Sequence, residues 1–513
     1  MKFVKIFFSF LILALFSCTK LDERFRSEIE STSSGTISVT NLLTNAYNSL
    51  QTPFVDQSRF WAASQHTTDE VIGPTRGPDW DDNGVWRVLH SHQWNADHGF
   101  LRDTYRELLQ TQYAASNVLE FNPSAQQAAE ARFIRALSMF AVLDGWDQVP
   151  FREDLKDLKK TPVTLRGTEA VDYIISELNA IMASLPASPN YVANADAAKV
   201  LLMKLYLNKG VYANRAQPTF SPADMNQVIT LADQLISSGK YQLNDVYFDN
   251  FAPNNDDLSK ENIFTLYHEN GDRGGNNQSR WYMGLHYNQK PSGWNGFTTL
   301  ADLYDRFEQN DTRRSYNYPG LTNITGYNAG LLIGQQFGPG GVALTTRQGK
   351  PLAFTKEVKL KETDANTLEL TGVRVIKYIP QFVNNDPNKL VEFPADNDYV
   401  IFRYADVLLM KAEAIMRGGT ATSIAPATPL LLVNAIRAKR GASVLTNLTE
   451  QILLDERSRE LYIEGWRRND LIRFGKFLQP WTEKGQSDPS RLVFPIPNEQ
   501  LAINPNLEQN PGY

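Results

Sequence analysis

The sequence predicts a mostly α-helical protein, a tetratricopeptide-like scaffold of helical pairs carrying a large, irregular, loop-rich insertion with a few short strands. Three observations predict it. Apolar residues recur at three- and four-residue intervals in paired runs before residue 241 and after residue 399. Small residues, among them Ala136, Ala197, Ala198 and Ala232, stand where paired helices would touch. Between these flanks, residues 242–398 are rich in Gly, Asn, Asp, Pro and aromatic side chains and hold few helical runs.

In chain order, Lys2 and Lys5 precede the apolar stretch 6–16, broken only by Ser9. A positive start followed by a short apolar core reads as an export signal over residues 1–17, too short for the roughly twenty residues that span a bilayer. Leu15-Phe16-Ser17-Cys18 resembles a bacterial lipobox, which makes Cys18, the only cysteine, the expected site of lipid attachment. Residues 18–36 are polar, with Asp22, Glu23 and a Ser/Thr run, and are expected to form a flexible tether because they cannot bury apolar area.

Helical periodicity then takes over at 97–121, 125–143, 168–185, 195–208 and 224–238. Pro186 and Pro189 are expected to end the third of these, Gly210 the fourth and Gly239 the fifth. In the irregular block, 263–267 and 373–379 read as strands and 300–307 as a brief helix. Helices return at 404–416, 429–439 and 449–474, the last interrupted near Gly465. The shared style of the flanks argues for one domain over 37–513, divided into a helical-pair scaffold (37–241), the loop-rich block (242–398) and a final helical part with its tail (399–513). Prolines at 495, 497, 505 and 511 predict an extended tail docked on the helices.

Composition narrows the function classes. A net charge of −6 with 21% charged residues supplies no basic field for nucleic acid. A single cysteine leaves nothing for an internal disulfide. Asp79-x-Asp81-x-Asn83-Gly84 matches the opening of a calcium loop, but Arg87 and His90 occupy the ninth and twelfth positions, where an EF-hand needs oxygen ligands. What stays open is a looser calcium site using Asp79, Asp81 or Asp82. His66, His90, His92 and His98 lack a metal-binding helix signature and read as surface or hydrogen-bonding residues. Gly274-Gly275 is not followed by the helix and lysine of a phosphate loop.

The richest polar-aromatic segment is 69–86, where Gly and Pro make the backbone turn repeatedly. A sugar ring presents an apolar C–H face beside polar hydroxyls, so Trp next to Asp, Asn and Arg suits a glycan. Trp80 and Trp86 are candidate stacking faces, and Asp69, Arg76 and Asp81 candidate hydrogen-bonding partners. The competing expectation is that the two tryptophans pin the loop to the core. A second aromatic set, Trp281, Tyr282, Tyr287 and Trp294, lies among glycines in the irregular block.

Residues 402–414, Phe-Arg-Tyr-Ala-Asp-Val-Leu-Leu-Met-Lys-Ala-Glu-Ala, resemble the signature helix of the SusD/RagB (starch-utilisation-D-like) outer-membrane lipoproteins of Bacteroidota. Segments 130–137, 149–151 and 456–475 and the ending from Phe494 to Tyr513 are similar to the same family in the same order. The residues themselves read as packing: Val407, Leu408, Met410, Ala414 and Ile415 form one broad apolar face, Asp406 suits the helix N-terminus, and Arg457, Arg459, Glu460, Glu464, Arg467 and Arg468 are spaced to pair along their helix. The resemblance implies a non-catalytic receptor without a cofactor, held in the outer membrane by the lipid on Cys18, facing outward, that binds glycans and delivers them to a SusC-like TonB-dependent transporter. It also implies ligand contacts at Tyr282, Trp294, Arg374 and Tyr399. The alternatives are a peptide ligand for the same class of receptor, or a surface glycoside hydrolase, which would need two carboxylates flanking one sugar bond.

Overall fold

The computed structural model describes residues 38–391 and 393–513, so the expected export signal, Cys18 and the tether lie outside the described residues. Helices Val39–Ser49, Gly99–Leu119 and Ala125–Trp146 pack on one another, and Gly167–Ile181, Ala195–Ala213 and Pro222–Ser237 follow, each against the one before it. Pro222–Ser237 also packs on Tyr404–Met416, which in turn meets Pro429–Lys439 and Glu450–Leu461. The helical flanks therefore form one continuous scaffold, as their common periodicity predicts. Local chemistry sets the helix starts: Ser124 and Gln127 form a reciprocal capping box, while Asn194, Thr428 and Thr449 each accept a backbone N–H of the first turn.

Three expectations are corrected. Gly210 does not end its helix, which runs on to Ala213; a Cβ there would stand 1.6 Å from the Thr219 carbonyl oxygen, so the missing side chain serves a close backbone approach. The tail is not wholly extended, since Asn498–Ile503 is helical; Pro497 and Pro505 bound this turn rather than forbid it. The tail docks as expected, with Asn510 Nδ2 donating to the Trp146 and Phe494 carbonyls at 2.9 and 2.7 Å, and Trp94 Nε1 to Tyr513 Oη at 2.7 Å. The charges of 456–468 pair mainly across the fold, not along their helix.

That pairing surrounds the base of the insertion. Strand Asn262–Leu266 pairs antiparallel with Tyr399–Arg403, and the second strand runs directly into helix Tyr404–Met416. The irregular block thus leaves and rejoins the scaffold through one buried ribbon. At the foot of that ribbon, Arg403 meets Glu460, Glu464 and Glu261 at 2.6, 2.7 and 3.2 Å, and Arg440 meets Glu261 and Glu460 at 2.7 and 2.8 Å. Arg313 adds Asp311, Glu456 and Glu460. Burial alone would raise the Glu460 carboxyl, but Arg440, Arg403 and Arg313 overcome this and hold it well below the usual carboxylate range. Asp406 lies in the first turn of its helix as expected and also receives Lys204 at 2.6 Å and Arg457 at 3.0 Å.

Short strands stitch the 69–86 segment to the insertion. Val71–Ile72 pairs with Thr298–Thr299, and Thr75–Arg76 runs parallel to Lys361–Glu362. The three-stranded sheet Ser315–Tyr316, Ala329–Leu332 and Arg374–Ile376 lies in the same block. The helix expected over 300–307 is confined to Ala301–Tyr304, and the strand expected over 373–379 to Arg374–Ile376. The interrupted helix resolves into Glu450–Leu461 and Arg467–Arg473, separated at Ile463 and Gly465, both with positive φ. No helix among the described residues is long and apolar enough to cross a membrane.

Candidate functional site

Those two short strand pairs decide where the aromatic residues meet. The chain after Thr75–Arg76 turns sharply, with Trp80, Asp82, Asn83 and Gly84 all at positive φ. A left-handed backbone strains a bulky residue such as Trp80 by about 1–3 kcal/mol and persists only when its surroundings hold it. They do: the Trp80 indole Nε1 donates to the Trp294 carbonyl at 3.0 Å, and its ring lies against Gly296, where a Cβ would stand 2.3 Å from Trp80 Cζ2. Glycine at 296 is therefore required for the indole to lie there.

The partner loop is closed on itself. After the turn Ser279–Tyr282, the Trp294 N–H donates to the Tyr282 carbonyl at 2.7 Å, and Gly296 and Asn295 donate to the Met283 and Leu285 carbonyls at 2.7 and 2.8 Å. This sets the Tyr282 and Trp294 rings nearly parallel, 14° apart with centroids at 5.8 Å. Trp80 and Trp294 follow at 6.5 Å, giving a continuous run Trp80, Trp294, Tyr282 in which Trp294 is 46% exposed. Phe297, 5.2 Å from Trp80, and Trp86 support it from beneath. Burial raises the Tyr282 phenol above its ordinary value, so it stays a neutral donor at physiological pH.

Of the nine ligand candidates expected from the sequence, Trp80, Tyr282 and Trp294 come together at the surface, with Asp81 nearby as the half-exposed ion-pair partner of Arg87 at 2.7 Å. The other five are interior. Arg76 donates to the Gly296, Leu368 and Thr371 carbonyls, and Arg374 to those of Thr371 and Gly372 and to Asn295 Oδ1 at 2.9 Å. Both arginines thus brace the loop that carries Trp294 instead of facing a ligand. Burial drives both guanidinium pKa values down, Arg76 to about 10, and the charge of Arg76 lowers Arg374 further. Asp69 is clamped by Arg306 and by Arg467, and burial, which would raise its carboxyl, is outweighed by those two cations. Trp86 is buried against Phe100 and Phe297, with its Nε1 on Asp82. Tyr399 stacks in the interior on Tyr378, 6.0 Å away.

Beside the ring run stands a polar group that sequence reasoning missed as a unit. The Arg347 guanidinium lies 4.1 Å over the Tyr287 ring, is held by Glu369 at 2.6 Å, and approaches Asp79 at 3.9 Å; Tyr287 Oη faces Asp79 at 3.4 Å. Arg347 comes from a loop with no aromatic or acidic neighbours in sequence, and only the fold brings it here.

Each calcium candidate faces a different partner, Asp79 toward Tyr287 and Arg347, Asp81 toward Arg87 and Asp82 toward Trp86. Among the described residues no group of three or more His, Cys, Asp or Glu is placed to hold a metal ion. The four histidines are not surface residues. His90, His92 and His98 are buried on backbone carbonyls of Val71 and Thr482, Thr67, and Val85. His66 sits among the rings of Trp61, Trp86 and Phe297 without a hydrogen-bond partner, and burial pushes its pKa down to about 3.

The scaffold of helical pairs matches the tetratricopeptide-like helical fold of SusD-like structures. The SusD family model matches residues 260–490, so this part of the chain is similar to the SusD family. The starch-binding protein SusD of Bacteroides thetaiotaomicron is 27% identical over 438 residues, covering 76% of this chain and 73% of that one. In fold, the chain is similar to surface glycan-binding protein A of Bacteroides thetaiotaomicron, solved with laminarihexaose, at a TM-score of 0.67 and 19% identity over 92% of this chain and 98% of that one. It is also similar to a SusD superfamily protein of Parabacteroides distasonis, at a TM-score of 0.71 and 19% identity over 93% and 98%.

Proposed function

We propose that this protein is a non-catalytic surface lipoprotein that captures oligosaccharides or polysaccharides on the Trp80–Trp294–Tyr282 face and delivers them to a SusC-like TonB-dependent transporter, anchored in the outer membrane through a lipid on Cys18. The observation that carries the reading is the ring run itself. It is held by backbone hydrogen bonds, an indole N–H and a glycine contact, with its most exposed ring in the middle. Rings fixed before the ligand arrives lose little conformational freedom on binding, which favours stacking of sugar C–H faces. Asp81 is neutralised by Arg87 and Asp79 adjoins Arg347, so the carboxylates nearest the rings are engaged with cations rather than facing each other across a sugar bond. Relatives named for starch binding and solved with laminarihexaose agree with a glycan ligand.

Native gels cast with soluble starch, laminarin and other polysaccharides test the capture step. The wild-type protein should be retarded by at least one of them, with no reducing sugar released on long incubation. Sustained release of reducing ends would support the hydrolase alternative, and retardation by none would remove the glycan reading and leave the peptide one. For the anchor, the Cys18→Ala protein should be recovered in the soluble periplasmic fraction, and an unchanged membrane location would refute the lipid.

A further inference from the structure

A second feature of the insertion is not used by the aromatic face. Strand Ala329–Leu332 and the loops around it enclose a cleft of about 410 Å³. That lies within the roughly 300–1,000 Å³ of small-molecule sites. Its wall includes Tyr304, Arg314, Asn328, Gln335, Gln336 and Phe337.

Arg314 is the distinctive member. Its guanidinium lies 4.6 Å over the Tyr304 ring and donates to Tyr304 Oη, and its backbone is fixed by hydrogen bonds to Asp311 and Leu331. Among the described residues it has no carboxylate partner: neighbouring Asp311 is engaged by Arg313, and Asp305 by Lys356. An oriented guanidinium that lines a cleft without a counterion marks a place for an anion from outside. Lys356, 5.1 Å over the same Tyr304 ring, is held by Asp305 and leaves the Arg314 guanidinium as the unpaired cation of this wall among the described residues.

The remaining wall suits a sugar. Gln335 is anchored through its Nε2 on the Gln336 and Leu344 carbonyls, which leaves its Oε1 free to accept from a hydroxyl. Phe337 is 42% exposed and offers an apolar face. The cleft also shares a wall with the loop that carries Trp294, since Tyr327 Oη donates to the Lys290 carbonyl at 2.9 Å and Gln289 Nε2 to Gln336 Oε1 at 3.4 Å.

We propose that this cleft is a second saccharide site that takes a sugar bearing an anionic substituent, a carboxylate or a sulfate, on Arg314, with Gln335 and Phe337 receiving its hydroxyls and ring face. The proposal rests on the reading of the chain as a glycan receptor and adds a class of ligand to it.

Calorimetric titration tests it with galacturonate oligosaccharides as the carboxylate arm, sulfated galactan oligosaccharides as the sulfate arm, and starch and laminarin oligosaccharides as neutral controls. The wild-type protein should bind at least one anionic arm, and added salt should weaken that binding. Arg314→Ala should weaken it about tenfold or more while neutral binding stays unchanged, and Arg314→Lys should recover part of it. Phe337→Ala, at an exposed position that leaves the fold intact, should weaken the same arm. The arm that responds identifies the substituent. Wild-type protein that binds neither arm, or Arg314→Ala and Phe337→Ala proteins that bind as tightly as wild type, would overturn the proposal. Trp294→Ala separates the two sites: loss of neutral binding with the Arg314 effect absent speaks against the cleft alone, and the converse speaks against the aromatic face alone.

Discussion

The foot of the insertion and its aromatic face are built on opposite plans. At the foot, Arg403, Arg440 and Arg313 meet Glu261, Glu456 and Glu460 with every partner at most 1% exposed. At the face, Trp294 is 46% exposed, and among the described residues its ring stacks on Tyr282 and meets Trp80 at a tilt of 38°. Buried ions have few tolerated substitutes, because removing one leaves its partners charged in a dry interior. Exposed rings can be exchanged without disturbing the fold. The comparison teaches that the segments resembling the SusD/RagB family hold the scaffold, whereas the exposed loop residues, which stability leaves free, are the ones proposed to meet a ligand.

The sharpest way to break this contrast is at Glu460. Replacing it with Ala leaves three arginines short of a partner, so the expected loss is about 3–5 kcal/mol in denaturant unfolding, with reduced soluble yield. A Glu460→Ala protein as stable as wild type would contradict the structural role. Acid comes next. Arg473 and Arg417 hold Glu413, and Arg313, Arg459 and Arg437 hold Glu456, at about 2 against the burial that would raise both. These carboxyls lie below their unfolded value near 4.5, so the unfolded chain binds protons first as the pH falls. Their contribution is complete above that value and is lost between about pH 4.5 and 2. The melting temperature should therefore fall steeply through that window, and a flat profile would refute the ionic account.

A smaller effect belongs to the support of the aromatic face. Gly296→Ala places a methyl group against the Trp80 ring, and overpacking of this kind costs about 1–3 kcal/mol. It should lower the melting temperature and weaken glycan binding together, since it moves a ring of the face. Trp80→Ala should do the same more mildly, because it removes both a stacking surface and the indole bond to the Trp294 carbonyl.

The scaffold was legible wherever local chemistry and periodicity agree. Tyr404–Met416 and Pro429–Lys439 fall where the spacing predicts them, the second started by Thr428 and a first-turn proline. Gly210 misled because a glycine in a helix reads as an end, and only the packed Thr219 carbonyl reveals a contact role. In the site, Trp80, Tyr282 and Trp294 were legible from aromatics placed in Gly-rich loops. Asp69 and Arg76 share the polar-aromatic segment of Trp80, and Arg374 is a candidate only through the family resemblance, yet the partners that bury them, Arg467, Leu368 and Asn295, are distant in sequence or hidden by the fold. Arg347 and Arg314 had no local signal, because what distinguishes them is which rings they cover and whether a carboxylate reaches them.

The central claim, that a ring run anchored on the core and exposed at Trp294 binds glycan without catalysis, is tested most directly by calorimetric titration of wild-type and Trp294→Ala proteins with the starch or laminarin oligosaccharide that retards the wild type. The expected result is affinity at least tenfold weaker for Trp294→Ala, about 1.4 kcal/mol, with unchanged melting temperature and no reducing ends released. Equal affinity for the two proteins would contradict it.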